Sequence, residues 1–259
     1  MYQYLGNTNI LLYDFVPIVG RLLILTYGIA RCRNQEKPFG KRIQKLHGMC
    51  EQKFPGLFLA NKRFWVFLEL VVILVTQYLW IGTLNVWFGP KVGTGANYFG
   101  TLFFHPLIML ALFAILGVDL REGMDRVTLN YPLFLFFAKV ACFCHGCCRG
   151  IESPFGLYNQ VSNRMELPVQ LLEAWFALLA FVMLQGICKY VKKGTLFPIY
   201  AIFFSATRFF SEFLRTEKPI FGVLKTYQVL CLIGLTVGVV ELMLVKHIGR
   251  RKSTPCSDG

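Results

Sequence analysis

The sequence predicts an all-α polytopic membrane protein, about seven transmembrane helices around a central polar cavity, and three observations carry that expectation. Of the 259 residues, 55% are hydrophobic, above the ~45–50% usual in soluble domains. Those residues fall in long runs that neither alternate nor break into stripes, which argues for helices and against a barrel. Three of the runs carry a basic residue well inside them, Arg21, Lys139 and Arg208. A charge near the bilayer centre costs ~2.5–3.5 kcal/mol on the insertion scale, so such groups need a shared interior.

The runs follow in order. Ile10–Ala30 is apolar apart from Asp14 and Arg21. No basic stretch followed by a small-residue cleavage site precedes it, so an uncleaved anchor is expected there. Phe64–Phe88, Phe99–Val118, Val169–Ile187 and Val223–Val245 are the clean runs, each of about 19 to 25 residues, enough to cross a ~30 Å core as a helix. Helix is required because lipid offers no partner to backbone polar groups. Val127–Cys144 carries Pro132 and Lys139, and Leu196–Leu214 carries Arg208 and Glu212. Together these make one integral membrane domain over residues 1–259, with a basic loop at 31–63. A charged tail at 246–259 is expected to be disordered.

A net charge of +13 would suggest nucleic acid in a soluble protein. Here the placement of the charge speaks for topology, and no nucleic-acid partner is expected. Nine Lys and Arg lie in 31–63, and the loops 119–126 and 189–193 and the tail add two, three and four. The opposite loops hold six, which favours the N-terminus outside and the C-terminus in the cytoplasm. Arg21, Lys139 and Arg208 are left, and all three sit inside spans.

The densest chemistry is in 139–150, where Lys139, Cys142, Cys144, His145, Cys147 and Cys148 crowd the end of an apolar run. Arg208, Glu212 and Arg215 recur at i, i+4 and i+7, so they share one helical face. Pro168 opens a helix that carries Gln170 and Glu173 one turn apart. His105 stands before Pro106. Two cations, Lys139 and Arg208, brought to one cavity would face an anion, and at a bilayer the obvious anion is a lipid phosphate. Arginine grips phosphate through a bidentate fork and lysine as a point charge.

These residues resemble the prolipoprotein diacylglyceryl transferase family. Its signature G-R-x-G-N-F-x-N-x-E-x-x-G lies over 138–150, with Lys139 on the arginine and Phe143 and Gly150 matched. Asp125 and Pro132 stand at suitable offsets upstream. The downstream H-P-S-Q-L-Y-E-A keeps Pro168, Gln170, Leu171, Glu173 and Ala174. The pattern Y-G-x-x-R-F-x-x-E-x-x-R is met by Arg208, Phe209, Glu212 and Arg215. His105 and Tyr13 are set against a histidine and a first-span tyrosine of the family. The resemblance implies a bacterial cytoplasmic (inner) membrane enzyme that moves a diacylglyceryl group from phosphatidylglycerol to a lipoprotein cysteine. Its partners would be membrane phospholipid and a prelipoprotein or other thiol acceptor. It implies catalytic roles for Lys139, Arg208, Glu212 and His105. Substrate contacts would come from Tyr13, Cys142, Gly150, Gln170, Glu173 and Arg215. The departures are lysine for the signature arginine, Cys142 for its asparagine, Cys147 for its glutamate, and Leu167 and Leu172 for a downstream histidine and tyrosine.

The cysteines offer another reading, a thiol-redox or metal-handling membrane protein, and a noncatalytic phospholipid-binding relative is a third. Four of the nine cysteines cluster within 142–148. A closed zinc site wants two ligand pairs separated by a longer loop, and no second pair is present. Neither a metal nor a cofactor is therefore expected.

Overall fold

The computed structural model describes residues 98–116, 119–159, 162–216 and 224–251, with isolated helical positions from Val16 to Leu79. The elements are α1 (Phe99–Leu116), α2 (Leu120–Thr128), α3 (Tyr131–His145), β1 (Glu152–Asn159), β2 (Arg164–Glu166), α4 (Val169–Ile187), α5 (Leu196–Phe213) and α6 (Thr226–Arg251). The expected spans at Ile10–Ala30 and Phe64–Phe88 are described only at those isolated positions, and Tyr13, Asp14, Arg21 and the loop 31–63 lie outside the described residues. Among the described residues, the helices Val169–Ile187 and Thr226–His247 are long and apolar enough to cross a membrane, as is the stretch Leu120–His145, which holds α2 and α3 with a turn between them.

α4 fills its predicted run, and α5 stops one residue short of it. Other boundaries differ for physical reasons. Val127–Cys144 is not one helix, because a turn at Leu129 and Asn130 separates α2 from α3. Pro132 falls in the first turn of α3, the one place where a residue without an N–H leaves no helical bond unmade. The loop expected at 119–126 is helical, with Asp119 accepting from the N–H groups of Arg121 (3.1 Å) and Glu122 (2.9 Å) as N-cap. α6 runs through Lys246 to Arg251, so the expected disordered tail begins as helix. No proline interrupts the chain between Thr226 and Pro255.

The all-α expectation also missed an antiparallel hairpin. β1 and β2 pair Tyr158 with Met165 and Asn159 with Arg164. Asn163 takes φ 53° in the turn between them, a conformation asparagine tolerates better than most residues. Gly156 lies so close to the Glu166 backbone that a Cβ would collide with it. Inside the hairpin, Asn159 Nδ2 donates to Glu166 Oε2 at 3.0 Å.

α3 packs along α4, α4 along α5, and α5 along α6, while α2 touches α1 and α5. Ala174, Ala177 and Ala180 form a buried stripe on α4, and small side chains there let neighbouring helices approach closely. Asp125 of α2 accepts from the N–H groups of Gly194 (2.6 Å) and Leu196 (3.0 Å), closing the start of α5. These contacts fix α3, α4 and α5 side by side, which is what the site needs.

Candidate functional site

Each of α3, α4 and α5 brings a charged residue to one buried point. At its centre is Glu173, near the start of α4. Its Oε2 lies 2.5 Å from Lys139 Nζ of α3. Its Oε1 pairs with Arg208 Nη1 of α5, accepts from the Ser211 hydroxyl at 3.0 Å, and lies 3.5 Å from Arg215 Nη1. Arg208 forks, and its Nη2 reaches Glu212 Oε2 at 2.7 Å. Glu212 is wholly buried, with Arg215 Nε 3.9 Å away.

Two residues of the α6 end complete the cluster. Tyr227 places its ring 5.5 Å from Arg208 Cζ, a cation–π contact. Lys225 Nζ donates to the carbonyls of Glu212 (2.6 Å) and Arg215 (2.7 Å), closing the last turn of α5.

Charges so buried persist only when paired. Among the described residues, three cations (Lys139, Arg208, Arg215) face two carboxylates (Glu173, Glu212), which leaves one positive charge over. Beside them is a pocket walled by Leu135, Phe176, Ala180, Phe203 and Phe204, with Lys139, Glu173 and Arg208 completing it. The recess is about 20 Å³, room for about one water, so it has to widen before it can admit an amphiphile with an anionic head.

The adjoining loop is held by backbone contacts. Gly150 bridges to Arg215, Ile151 N–H donates to Leu214 O at 2.8 Å, and Thr216 N–H to Arg149 O at 3.4 Å. A Cβ on Gly150 would run into the Leu167 carbonyl, so this close approach requires glycine. Gln170 Nε2 donates to Cys147 O at 2.5 Å. The Sγ atoms of Cys142, Cys147 and Cys148 lie within 4.8 Å of one another. Hydrogen bonds from the Cys142 and Cys147 thiols hold Cys148 below the ordinary thiol range against the opposing effect of burial, and Lys139 and Arg215 add to this. For Cys147 the bond with Cys142 lowers the pKa, but the bond with Cys148 and burial outweigh it and leave the thiol at about 11.

Five of the sequence-derived residues thus meet directly: Lys139, Glu173, Arg208, Glu212 and Arg215. Gly150 belongs to the loop beside them, with Cys142 at the end of α3 and Gln170 at the start of α4 on its flanks. His105 is buried elsewhere, with Nδ1 on the Tyr131 hydroxyl, and is not among the residues lining the pocket. Tyr98 ties that region together, donating to Tyr131 O at 3.0 Å and pairing with the Tyr200 hydroxyl at 2.6 Å. Ser211, Lys225 and Tyr227 were not anticipated. Ser211 could have been found, since it stands three residues after Arg208 on the same face. Lys225 counted only as a loop charge, and nothing in the sequence singles out Tyr227.

Comparison with known proteins identifies a family. Residues 1–244 match the family described as Prolipoprotein diacylglyceryl transferase. A phosphatidylglycerol–prolipoprotein diacylglyceryl transferase of Clostridium tetani is 30% identical over 134 residues, 47% of this chain and 52% of the relative. The protein of the same name from Clostridium novyi is 34% identical over 80 residues, 31% of this chain and 30% of the relative. That of Helicobacter hepaticus is 26% identical over 217 residues, 73% of this chain and 74% of the relative. The chain spans about half or less of the two clostridial relatives and about three quarters of the third. With nearly its whole length matched, the chain belongs to the prolipoprotein diacylglyceryl transferase family.

Proposed function

We propose that the chain transfers the diacylglyceryl group of phosphatidylglycerol, or of a related anionic phospholipid, to a cysteine thiol of a prelipoprotein or another thiol acceptor. One observation carries the reading: the buried cluster of Lys139, Arg208, Arg215, Glu173 and Glu212 has one positive charge too many and opens on an apolar recess. A phosphodiester carries a single negative charge and would balance it, while its acyl chains would have to part the phenylalanine walls of a recess of about 20 Å³. The names of the relatives supply the substrate class.

In the proposed step the acceptor sulfur attacks the glyceryl carbon that bears the phosphate ester. A C–S bond forms and the C–O bond breaks. Glycerol phosphate leaves with the electron pair, and Lys139, Arg208 and Arg215 stabilise the charge growing on its phosphate oxygens. Lysine at position 139, where the family signature has arginine, contributes charge without a fork. His105 is the proposed acceptor of the thiol proton, a role that requires it to leave the Tyr131 hydroxyl and reach the pocket. We also assign seven crossings of the bacterial cytoplasmic membrane, with the N-terminus outside and the C-terminus inside, on the distribution of basic residues. Impermeant labelling of tags at the two termini checks this orientation.

The test is purification in detergent, mass spectrometry of co-purifying lipid, and a transfer assay with phosphatidylglycerol and a cysteine peptide. The expected result is an anionic phospholipid retained by the unaltered protein, at least tenfold less of it with Arg208→Ala, and a peptide carrying a diacylglyceryl thioether. With His105→Gln, lipid is retained and transfer falls about a hundredfold, the scale of a lost general base. Absence of anionic lipid together with absence of thioether would overturn the reading.

A further inference from the structure

The transfer chemistry gives three clustered thiols no task beyond the substrate contact that the resemblance implies for Cys142. We propose that Cys142, Cys147 and Cys148 form a three-thiolate site for a soft cation of low coordination number, with Cu(I) the ion that suits it. The sequence alone argued against a metal because the cysteines lack a second, distant pair. Folding brings three sulfurs together without one, within 4.8 Å of one another.

The local structure explains the convergence. Cys142 lies in the last turn of α3, and the helix ends at Gly146, which takes φ 69° as its left-handed cap. Cys148 then adopts φ 59°, so the chain doubles back under the helix it has just left. The Cys147 thiol donates to the Cys142 carbonyl at 3.7 Å. Gln170 from α4 and the Gly150–Arg215 bridge from α5 pin the loop on its other sides. The ligands are therefore held before any ion arrives.

The donor set selects the ion. Metal–sulfur bonds of ~2.3 Å in a trigonal plane put sulfurs ~4 Å apart, so the thiols need to close by less than ~1 Å. Among the described residues no fourth histidine, cysteine or carboxylate ligand atom joins the group. Zinc asks for four ligands, whereas thiolate softness favours Cu(I). Three thiolates with one monovalent ion carry excess negative charge. Lys139 and Arg215 act electrostatically on Cys148, and the one positive charge left over in their cluster offsets part of that excess.

The experiment uses the full chain in detergent, reduced and handled without oxygen, and titrated with Cu(I) against bicinchoninate. It reads stoichiometry, thiolate-to-copper absorption in the near ultraviolet, and sulfur coordination by X-ray absorption. The expected result is one Cu(I) per chain on three sulfurs. Retention falls at least a hundredfold in each of Cys142→Ser, Cys147→Ser and Cys148→Ser, and is unchanged in Cys188→Ser. Thermal unfolding of every variant separates loss of the ion from loss of the fold, and a misfolded serine variant is replaced by the alanine one. No competition with bicinchoninate would overturn the proposal. So would equal retention by the three variants, or a Cys142–Cys147 or Cys142–Cys148 disulfide formed on mild oxidation in a protein that retains no copper. None of these readouts depends on lipid transfer, so the site and the transferase reading stand or fall separately.

Discussion

Replacing Glu173 with glutamine should destabilise the protein by about 3–5 kcal/mol, the scale on which buried ion pairs lose one partner. Lys139 at 2.5 Å, Arg208 and Arg215 all converge on this one carboxylate. Without its charge, three buried cations would face Glu212 alone. The amide keeps the shape and the Ser211 contact, so a large loss would report charge rather than packing. Thermal unfolding in detergent reads the effect, and Lys139→Met in the same background should recover part of it because one unpaired cation is removed. A coupling between the two changes of at least ~1 kcal/mol is expected, as for neighbours that share a network. A Glu173→Gln protein as stable as the parent would mean that the three cations are neutralised elsewhere.

Arg208→Lys should leave the fold nearly intact and cut transfer by a factor of about 10²–10³. The guanidinium uses Nη1 on Glu173 and Nη2 on Glu212 while stacking against Tyr227. An ammonium keeps the charge but can neither hold both carboxylates in that geometry nor present a planar fork to a phosphate. Lipid retention should therefore fall much less than turnover, in contrast to Arg208→Ala, which loses both. The comparison of kcat with KM for phosphatidylglycerol measures it. Equal loss in the two variants would assign Arg208 to charge alone, and unchanged turnover in the lysine variant would remove it from the chemistry.

The legible part of this protein was the part governed by periodicity. The i, i+4 spacing of Arg208 and Glu212 announced one face of α5, while Arg215, expected on the same face, lies past the helix end in a bridge to Gly150 and still reaches Glu173. Apolar length located α4 and α5 almost to the residue. Hydropathy was blind where local bonds decide. The turn at Leu129 and Asn130, with Pro132 restarting the chain at α3, splits a run that composition reads as continuous. The hairpin at 152–166 was missed because its signals, Gly156 and Asn163, act through backbone approach and a positive φ rather than apolar pattern. The pairing of Glu173 with Arg208 spans 35 positions, and only the packing of α4 on α5 could reveal it. His105 illustrates the converse. Its match to a family position marked it as a candidate, and its geometry ties it to Tyr131 rather than to the pocket.

The short ladder that joins Gly150 to Arg215, with Ile151 bonded to Leu214 and Thr216 to Arg149, has a mechanical consequence. It rivets the thiol-bearing turn to the far end of a helix encountered some sixty positions later in the chain. Neither piece can swing without dragging the other. Whatever grips the sulfurs must therefore tug on a guanidinium, and any displacement of that guanidinium will be transmitted back to them.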